Sequence, residues 1–214
     1  MGKRNGIIVR EGLPFILPLV LLTAVAALMG GGASALVLGA VTVFVIAFFR
    51  NPERQTPADR KLVISPADGR VIRIETVNGQ ELVPGTLKKV SIFMNVFNVH
   101  VNRIPYDGTV SAIRYRPGKF LSADLDKASE QNERTAVLVK TWDDREILTV
   151  QIAGIVARRI VCWLKEGMAV RAGERFGLIR FGSRLEVLLP DDATVLVRLG
   201  DKVRAGQTPI GRMP

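Results

Sequence analysis

The chain has 214 residues, 48 % of them hydrophobic, with one cysteine, one histidine and a formal net charge of +10. That length and apolar content exclude a disordered polymer and allow one ordinary domain with an appendage. Cys162 alone cannot form an internal disulfide, and one histidine leaves no Cys/His cluster of metal-ligand spacing, so no metal site is expected.

Residues 13–29 and 35–49 are two apolar runs without a charge, separated by Gly30-Gly-Gly-Ala-Ser34. As helices they are about 25 Å and 22 Å long, slightly under the roughly 30 Å hydrocarbon core, so two tight spans and a re-entrant hairpin both fit. Lys3, Arg4 and Arg10 precede the pair, and Arg50, Arg54, Arg60 and Lys61 follow it. The positive-inside rule therefore puts both flanks in the cytoplasm. A secretory signal peptide is disfavoured by the second run and by the lack of a small-residue cleavage site. Residues 1–50 thus read as a membrane-anchoring helical hairpin, 51–61 as a Pro-containing linker, and 62–214 as the main domain.

Beyond residue 62 the chain consists of short β-branched runs bounded by Gly, Pro and Asp: 71–77, 89–94, 109–115, 135–141, 147–152, 158–164, 176–181 and 185–189. This spacing predicts a mostly-β domain, a sandwich or barrel. Residues 122–134 are the polar exception, a loop or a short helix. Gly167-Met-Ala-Val-Arg-Ala-Gly173 is echoed by Gly200-Asp-Lys-Val-Arg-Ala-Gly206. Such turns recur in lipoyl-like sandwich hybrids, where glycine supplies positive φ between short strands.

Three places could carry chemistry. His100 is the only imidazole. Strand alternation through Phe97-Asn-Val-His-Val-Asn102 would send Asn98, His100 and Asn102 to a polar face, away from Phe97, Val99 and Val101. Asp68 lies in the turn Ser65-Pro-Ala-Asp-Gly69, and Tyr106-Asp-Gly108 is a similar turn that serves as a control. Gly182-Ser183 interrupts an apolar β pattern. The interruption reads either as a bulge or hairpin turn, or as a strained bond whose carbonyl the Ser183 hydroxyl can approach.

Ser65-Pro-Ala-Asp-Gly-Arg70, Phe97-Asn-Val-His-Val-Asn-Arg103, Asn132-Glu-Arg134 and Phe181-Gly-Ser-Arg184 together resemble, in order and spacing, the short bacterial and archaeal phosphatidylserine decarboxylases. The resemblance runs from about Arg50 to the C-terminus, and the two-run anchor is similar too. It implies self-cleavage between Gly182 and Ser183 into large and small chains, with Ser183 becoming a pyruvoyl cofactor. His100 would be the base and Asp68 its orienting charge. The ketone would act as electron sink in converting phosphatidylserine to phosphatidylethanolamine and CO2. Arg103, Arg134 and Asn132 are candidate substrate-binding residues. Anionic lipids at the cell membrane are expected partners, nucleic acid is not, and a homo-oligomer is left open. The chain departs from the large members, which read Leu-Gly-Ser-Thr and carry a second histidine where Phe97 stands, so the motif names no proton donor for the carbanion. Two rival readings are a lipoyl-type carrier on Asp126-Lys-Ala128 and a basic nucleic-acid-binding domain. The first lacks a tight hairpin around Lys127, and the second lacks stacking aromatics.

Overall fold

The computed structural model describes residues 6–80, 82–122, 131–154, 159–180 and 182–214. Lys127 and the polar segment around it lie outside the described residues. The chain forms two compact units, Met1–Glu53 and Arg54–Pro214.

The first unit is a helical hairpin of α1 (Leu13–Leu28) and α2 (Gly32–Phe48). Both helices are apolar all round, which suits a lipid surrounding better than a soluble amphipathic packing. Leu17, Leu21, Leu36 and Val43 point outward and are more than half exposed. The residues Arg10–Leu28 are long and apolar enough to cross a membrane, whereas α2 is shorter. Midway, the hydroxyls of Thr23 and Thr42 meet at 3.1 Å, each also bonded to its own helix backbone, so no polar group there faces outward unsatisfied. At the open end Asn51 donates to the carbonyls of Ile7 and Gly6 (2.7 and 2.9 Å), and Ile8 bridges Arg50. Both flanks of the hairpin are therefore tied together at one end.

The second unit is mostly β, as the runs predict. Its strands are β1 (Leu62–Ile64), β2 (Gly69–Gln80), β3 (Val83–Met94), β4 (Val101–Arg103), β5 (Gly108–Arg116), β6 (Arg134–Thr141) and β7 (Glu146–Ala153). They continue as β8 (Ile160–Cys162), β9 (Ala169–Val170), β10 (Arg175–Ile179), β11 (Ser183–Pro190), β12 (Thr194–Val195), β13 (Lys202–Val203) and β14 (Pro209–Arg212). A curled eight-stranded sheet has the order β13-β2-β3-β11-β7-β6-β5-β9, and two three-stranded sheets have the orders β1-β14-β12 and β4-β10-β8. Val90, Ile92, Val137, Val139, Leu185 and Val187 of the large sheet join Val63, Phe176, Ile179 and Ile210 of the small ones in one core.

The weak sequence repeat marks a pseudo-twofold. Asp68 accepts the N–H of Ala205 and Asp107 accepts that of Ala172, each at 2.8 Å and each from an Arg-Ala-Gly turn. Gly206 N–H donates to Ser65 O and Gly173 N–H to Ile104 O, again at 2.8 Å. The halves also exchange bonds reciprocally: Ile64 N–H to Pro105 O and Arg103 N–H to Pro66 O, both at 2.9 Å. Gly173 and Gly206 have φ of +81° and +74°, which explains glycine in both turns.

Candidate active site

Ser183 opens β11, the strand clamped between β3 and β7, where it stands opposite Met94 and Ala153. Gly182 before it has φ +66°, and a Cβ built there meets nothing within 4 Å. The glycine is needed for its backbone conformation, and its surroundings are open. Ser183 is wholly buried, and its Oγ has no hydrogen-bond partner among the described residues. A buried orphan hydroxyl is destabilising by roughly 1–3 kcal/mol. That is an unfavourable resting state for a structural serine and a fitting one for a group that is consumed by chemistry.

A polar floor that the sequence reading did not single out lies beneath Ser183. Gln151 Nε2 donates to Asn102 Oδ1 at 2.8 Å, and Asn102 Nδ2 reaches the sulfur of Met94, the cross-strand neighbour of Ser183, at 3.7 Å. Both amides are fully buried. Asn102 lies on β4 (Val101–Arg103), and His100 immediately precedes that strand.

His100 itself departs from the expected surface row. It is only 2 % exposed, while Phe97 is 72 % exposed. Strand alternation fails because two asparagines fold residues 95–98 into a turn. Asn95 N–H donates to Asn98 Oδ1, Phe97 N–H to Asn95 Oδ1 and Asn98 N–H to Asn95 O, at 2.9–3.0 Å. The strand starts only at Val101. His100 Nδ1 stands 3.0 Å from the Asn98 carbonyl oxygen. A carbonyl only accepts, so Nδ1 carries a proton, and Nε2 is the ring nitrogen left to take up or release one.

Asp68 is also buried, and its carboxylate is held by Arg54, with Nη1 to Oδ1 at 2.5 Å and Nη2 to Oδ2 at 2.8 Å. Arg54 Nη1 also donates to Ala205 O at 2.9 Å. With the Ala205 N–H this makes a closed bidentate site, in which both Asp68 oxygens are taken up by Arg54 and Ala205. Arg54 falls within the polar stretch read as a linker, and no spacing signal joins it to a turn 14 residues away.

Two of the three candidate substrate residues are engaged in the scaffold. Arg103 is buried and donates to Gly173 O at 2.7 Å, while its Cδ lies 2.6 Å from where a Cβ on Gly206 would stand, so it threads both Arg-Ala-Gly turns. The Asn132 amide binds Leu121 through both its groups and donates to Ala153 O at 2.7 Å, fastening residues 119–121 to the strand beside Ser183. Arg134 is half-buried at the start of β6. Arg184, the departure from the large members, is buried on the face of β11 opposite Ser183 and pairs with Glu186 at 2.7 Å, with Ser91 accepting at 3.1 Å. Cys162 offers no competing nucleophile, since burial pushes its thiol above the ordinary range. Among the described residues no three His, Cys, Asp or Glu side chains are grouped to hold a metal ion.

Comparison with known proteins assigns this architecture to a family. The sequence model of phosphatidylserine decarboxylase matches residues 41–211. A phosphatidylserine decarboxylase proenzyme of Syntrophus aciditrophicus is 57 % identical over 211 residues, covering 98 % of this chain and 99 % of the relative. Proteins of the same name from Desulfotalea psychrophila and Geobacter metallireducens are 47 % and 46 % identical, covering 96 % and 100 % of this chain and the same shares of their own. The buried serine after a left-handed glycine thus stands in a chain that belongs to the phosphatidylserine decarboxylase family, and the protein is a decarboxylase.

Proposed function

We propose that the chain is a self-processing proenzyme whose Ser183 becomes the pyruvoyl group that decarboxylates phosphatidylserine to phosphatidylethanolamine. The observation that carries this reading is the orphan Ser183 Oγ, fully buried beside a glycine of φ +66°. Ser183 Oγ attacks the Gly182 carbonyl carbon. The C–N bond breaks as the C–O bond forms, and the freed nitrogen takes up the proton. Elimination across Cα–Cβ of residue 183 then releases the Gly182 carboxylate, and water replaces nitrogen as ammonia leaves. The ketone so formed caps a small chain of 32 residues (214 − 182).

His100 Nε2 is the base that takes the Ser183 proton. Asp68 acts on it as a charge rather than through a direct bond, and Arg54 sets how much of that charge is delivered. The pyruvoyl ketone, once made, withdraws the electron pair left behind when CO2 departs. Asn102 and Gln151 hold the floor of the site, Asn132 fastens its rim, and Arg134 is the candidate that faces the anionic headgroup. The small chain stays bound after cleavage because β11 lies between β3 and β7, β13 pairs with β2 at the edge of the same sheet, and β14 pairs with β1 in another. The helical hairpin anchors the protein in the cell membrane. The basic residues on both its flanks favour a cytoplasmic catalytic unit.

Intact-mass measurement tests the first step. Wild type should give two chains split at 182/183, and Ser183→Ala a single inactive species of 23.4 kDa. Phenylhydrazine should abolish wild-type activity, and cyanoborohydride with phosphatidylserine should fix lipid to the fragment beginning at position 183. Normal cleavage of Ser183→Ala, or chelator-sensitive activity with no reducible adduct, would overturn the reading.

A further inference from the structure

The face of β7 that carries Ala153 also carries Gln151 and Thr149 at alternate positions, Ala153 opposite Ser183 and Gln151 opposite Leu185. Ser183 and Gln151 are therefore diagonal neighbours on one face of the sheet, with Cα atoms about 7–8 Å apart. Directly across from Ser183, β7 offers only the methyl group of Ala153, so that strand does not fill the corner between the serine and the glutamine. Gln151 is fully buried. β10 closes over it, since a Cβ built on Gly177 would stand 3.0 Å from Gln151 Nε2.

One sulfur sets the orientation of these buried amides. A thioether can only accept, so the Asn102 group 3.7 Å from Met94 Sδ is the Nδ2 donor. Asn102 Oδ1 then accepts from Gln151 Nε2 at 2.8 Å. That leaves Gln151 Oε1 as the free end of the chain of bonds, and like Ser183 Oγ it has no hydrogen-bond partner among the described residues. Flipping Gln151 alone would set two oxygens against each other. What the fold holds on the serine's face is thus an acceptor. An acceptor does nothing for the negative charge that develops on the Gly182 carbonyl oxygen during the acyl shift, but it suits the last step of maturation. Elimination leaves an enamine on residue 183; its C=N–H tautomer must add water at Cα and lose NH3, so that C=O remains. Two oxygens that share one water stand up to about 5.6 Å apart, two hydrogen bonds of about 2.8 Å. A glutamine side chain closes that span from a diagonal position. A buried water needs at least two polar partners, and Ser183 Oγ and Gln151 Oε1 supply them. When elimination carries Oγ away with the Gly182 carboxylate, a water still donating to Oε1 keeps an oxygen lone pair for the carbon.

We propose that Gln151 is a catalytic residue of maturation, whose Oε1 holds the water that replaces nitrogen by oxygen on residue 183. Asn102 is the positioning residue that keeps Oε1 turned to that task. The inference rests on the self-processing reading of Ser183, and its test reads a step that follows chain cutting.

The test follows cutting and ammonia release together in the full-length protein. Borohydride added at intervals reduces C=N to an amine and C=O to an alcohol. The small chain then begins with alanine where nitrogen is still in place and with a lactyl group where it has gone, and mass spectrometry separates the two. In wild type, ammonia release should keep pace with cutting. Gln151→Met keeps the volume but lacks the oxygen, and it should lower the ratio of ammonia released to chain cut about tenfold, the scale of one good hydrogen bond. Alanine-ended small chain should accumulate. Gln151→Glu retains an oxygen acceptor and should restore most of the ratio. Thr149→Val removes another unpartnered buried oxygen from the same face, one inward position farther from Ser183, and should leave the ratio unchanged. A Gln151 with a merely structural role would slow cutting and ammonia release together. An unchanged ratio in Gln151→Met therefore overturns the inference whatever happens to the cutting rate, and so does an equal fall in Thr149→Val. If Gln151→Met does not fold or cut, Asn102→Leu carries the same test, and an unchanged ratio there is equally decisive against it. Wild type that stays uncut would instead remove the assignment of Ser183.

Discussion

Asp68 and Asp107 occupy equivalent places in the two halves of the sandwich. Each is followed by glycine, each opens a long strand, and each accepts an alanine N–H from an Arg-Ala-Gly turn. Their surroundings differ. Asp68 is buried and clasped by the Arg54 guanidinium, whereas Asp107 is half-buried, pairs with no cation among the described residues, and borders a cavity of about 190 Å³ with Asp59, Arg60 and Arg171. The duplicated turn is scaffold in both halves. What distinguishes the halves is what was added to one of them: a guanidinium on the carboxylate and, just before β4, the chain's one histidine. A carboxylate in a repeated turn is therefore weak evidence for function until its partners are known.

The largest expected effect breaks the symmetry directly. Asp68→Asn and His100→Ala should each slow self-cleavage by about 10²–10⁴-fold, the range for loss of a positioned base or its support. Asp107→Asn should leave the rate within a fewfold. The rates are read from the fraction of uncut chain against time, and equal slowing by both Asp substitutions would reduce Asp68 to a turn residue. Next comes Arg54. Arg54→Ala leaves a buried carboxylate unpaired and should cost about 3–5 kcal/mol in denaturant unfolding, with Arg54→Lys retaining part of it. If Arg54→Ala unfolded like wild type, the ion pair would be incidental.

A smaller effect sharpens the comparison of turns. Gly206→Ala and Gly173→Ala each force alanine into positive φ against a close neighbour, Arg103 and Thr56 respectively. Each should lower stability by about 1–3 kcal/mol, but only Gly206→Ala, which disturbs the turn that holds Asp68, should also slow cleavage. The smallest effect is at Cys162. Its thiol is raised by burial, so alkylation near neutral pH should be slow and should accelerate as pH rises. Cys162→Ser should leave cleavage unchanged.

Much of the architecture was legible before any coordinates. The two apolar runs became α1 and α2 because uninterrupted apolar sequence has few other stable states. Each of the eight β-branched runs overlaps a strand, although 158–164 holds only the three residues of β8 and positions 158 and 181 lie outside the described residues. The Gly182-Ser183 break was visible as an interruption, and it proved to be a left-handed glycine between strands of different sheets. Residues 95–98 misled because two asparagines bond to the local backbone in preference to extending the strand. Arg103 and Asn132 attracted attention as charged or polar motif residues, and their groups hold the backbone carbonyls of a distant turn and of the end of β7 respectively.

The sequence by itself determined the periodic elements, the bond that can be strained, and the residue types able to attack or take a proton. Only the tertiary structure decided the remainder. The strands β1, β4, β9, β12, β13 and β14 have two to four residues and no period of their own; each exists because a neighbouring ladder supplies its hydrogen bonds. The clasp on Asp68 joins positions 14 and 137 residues apart. Local propensity acts over a few residues, whereas charge and hydrogen bonds act through space, and the fold alone sets which distant groups share that space.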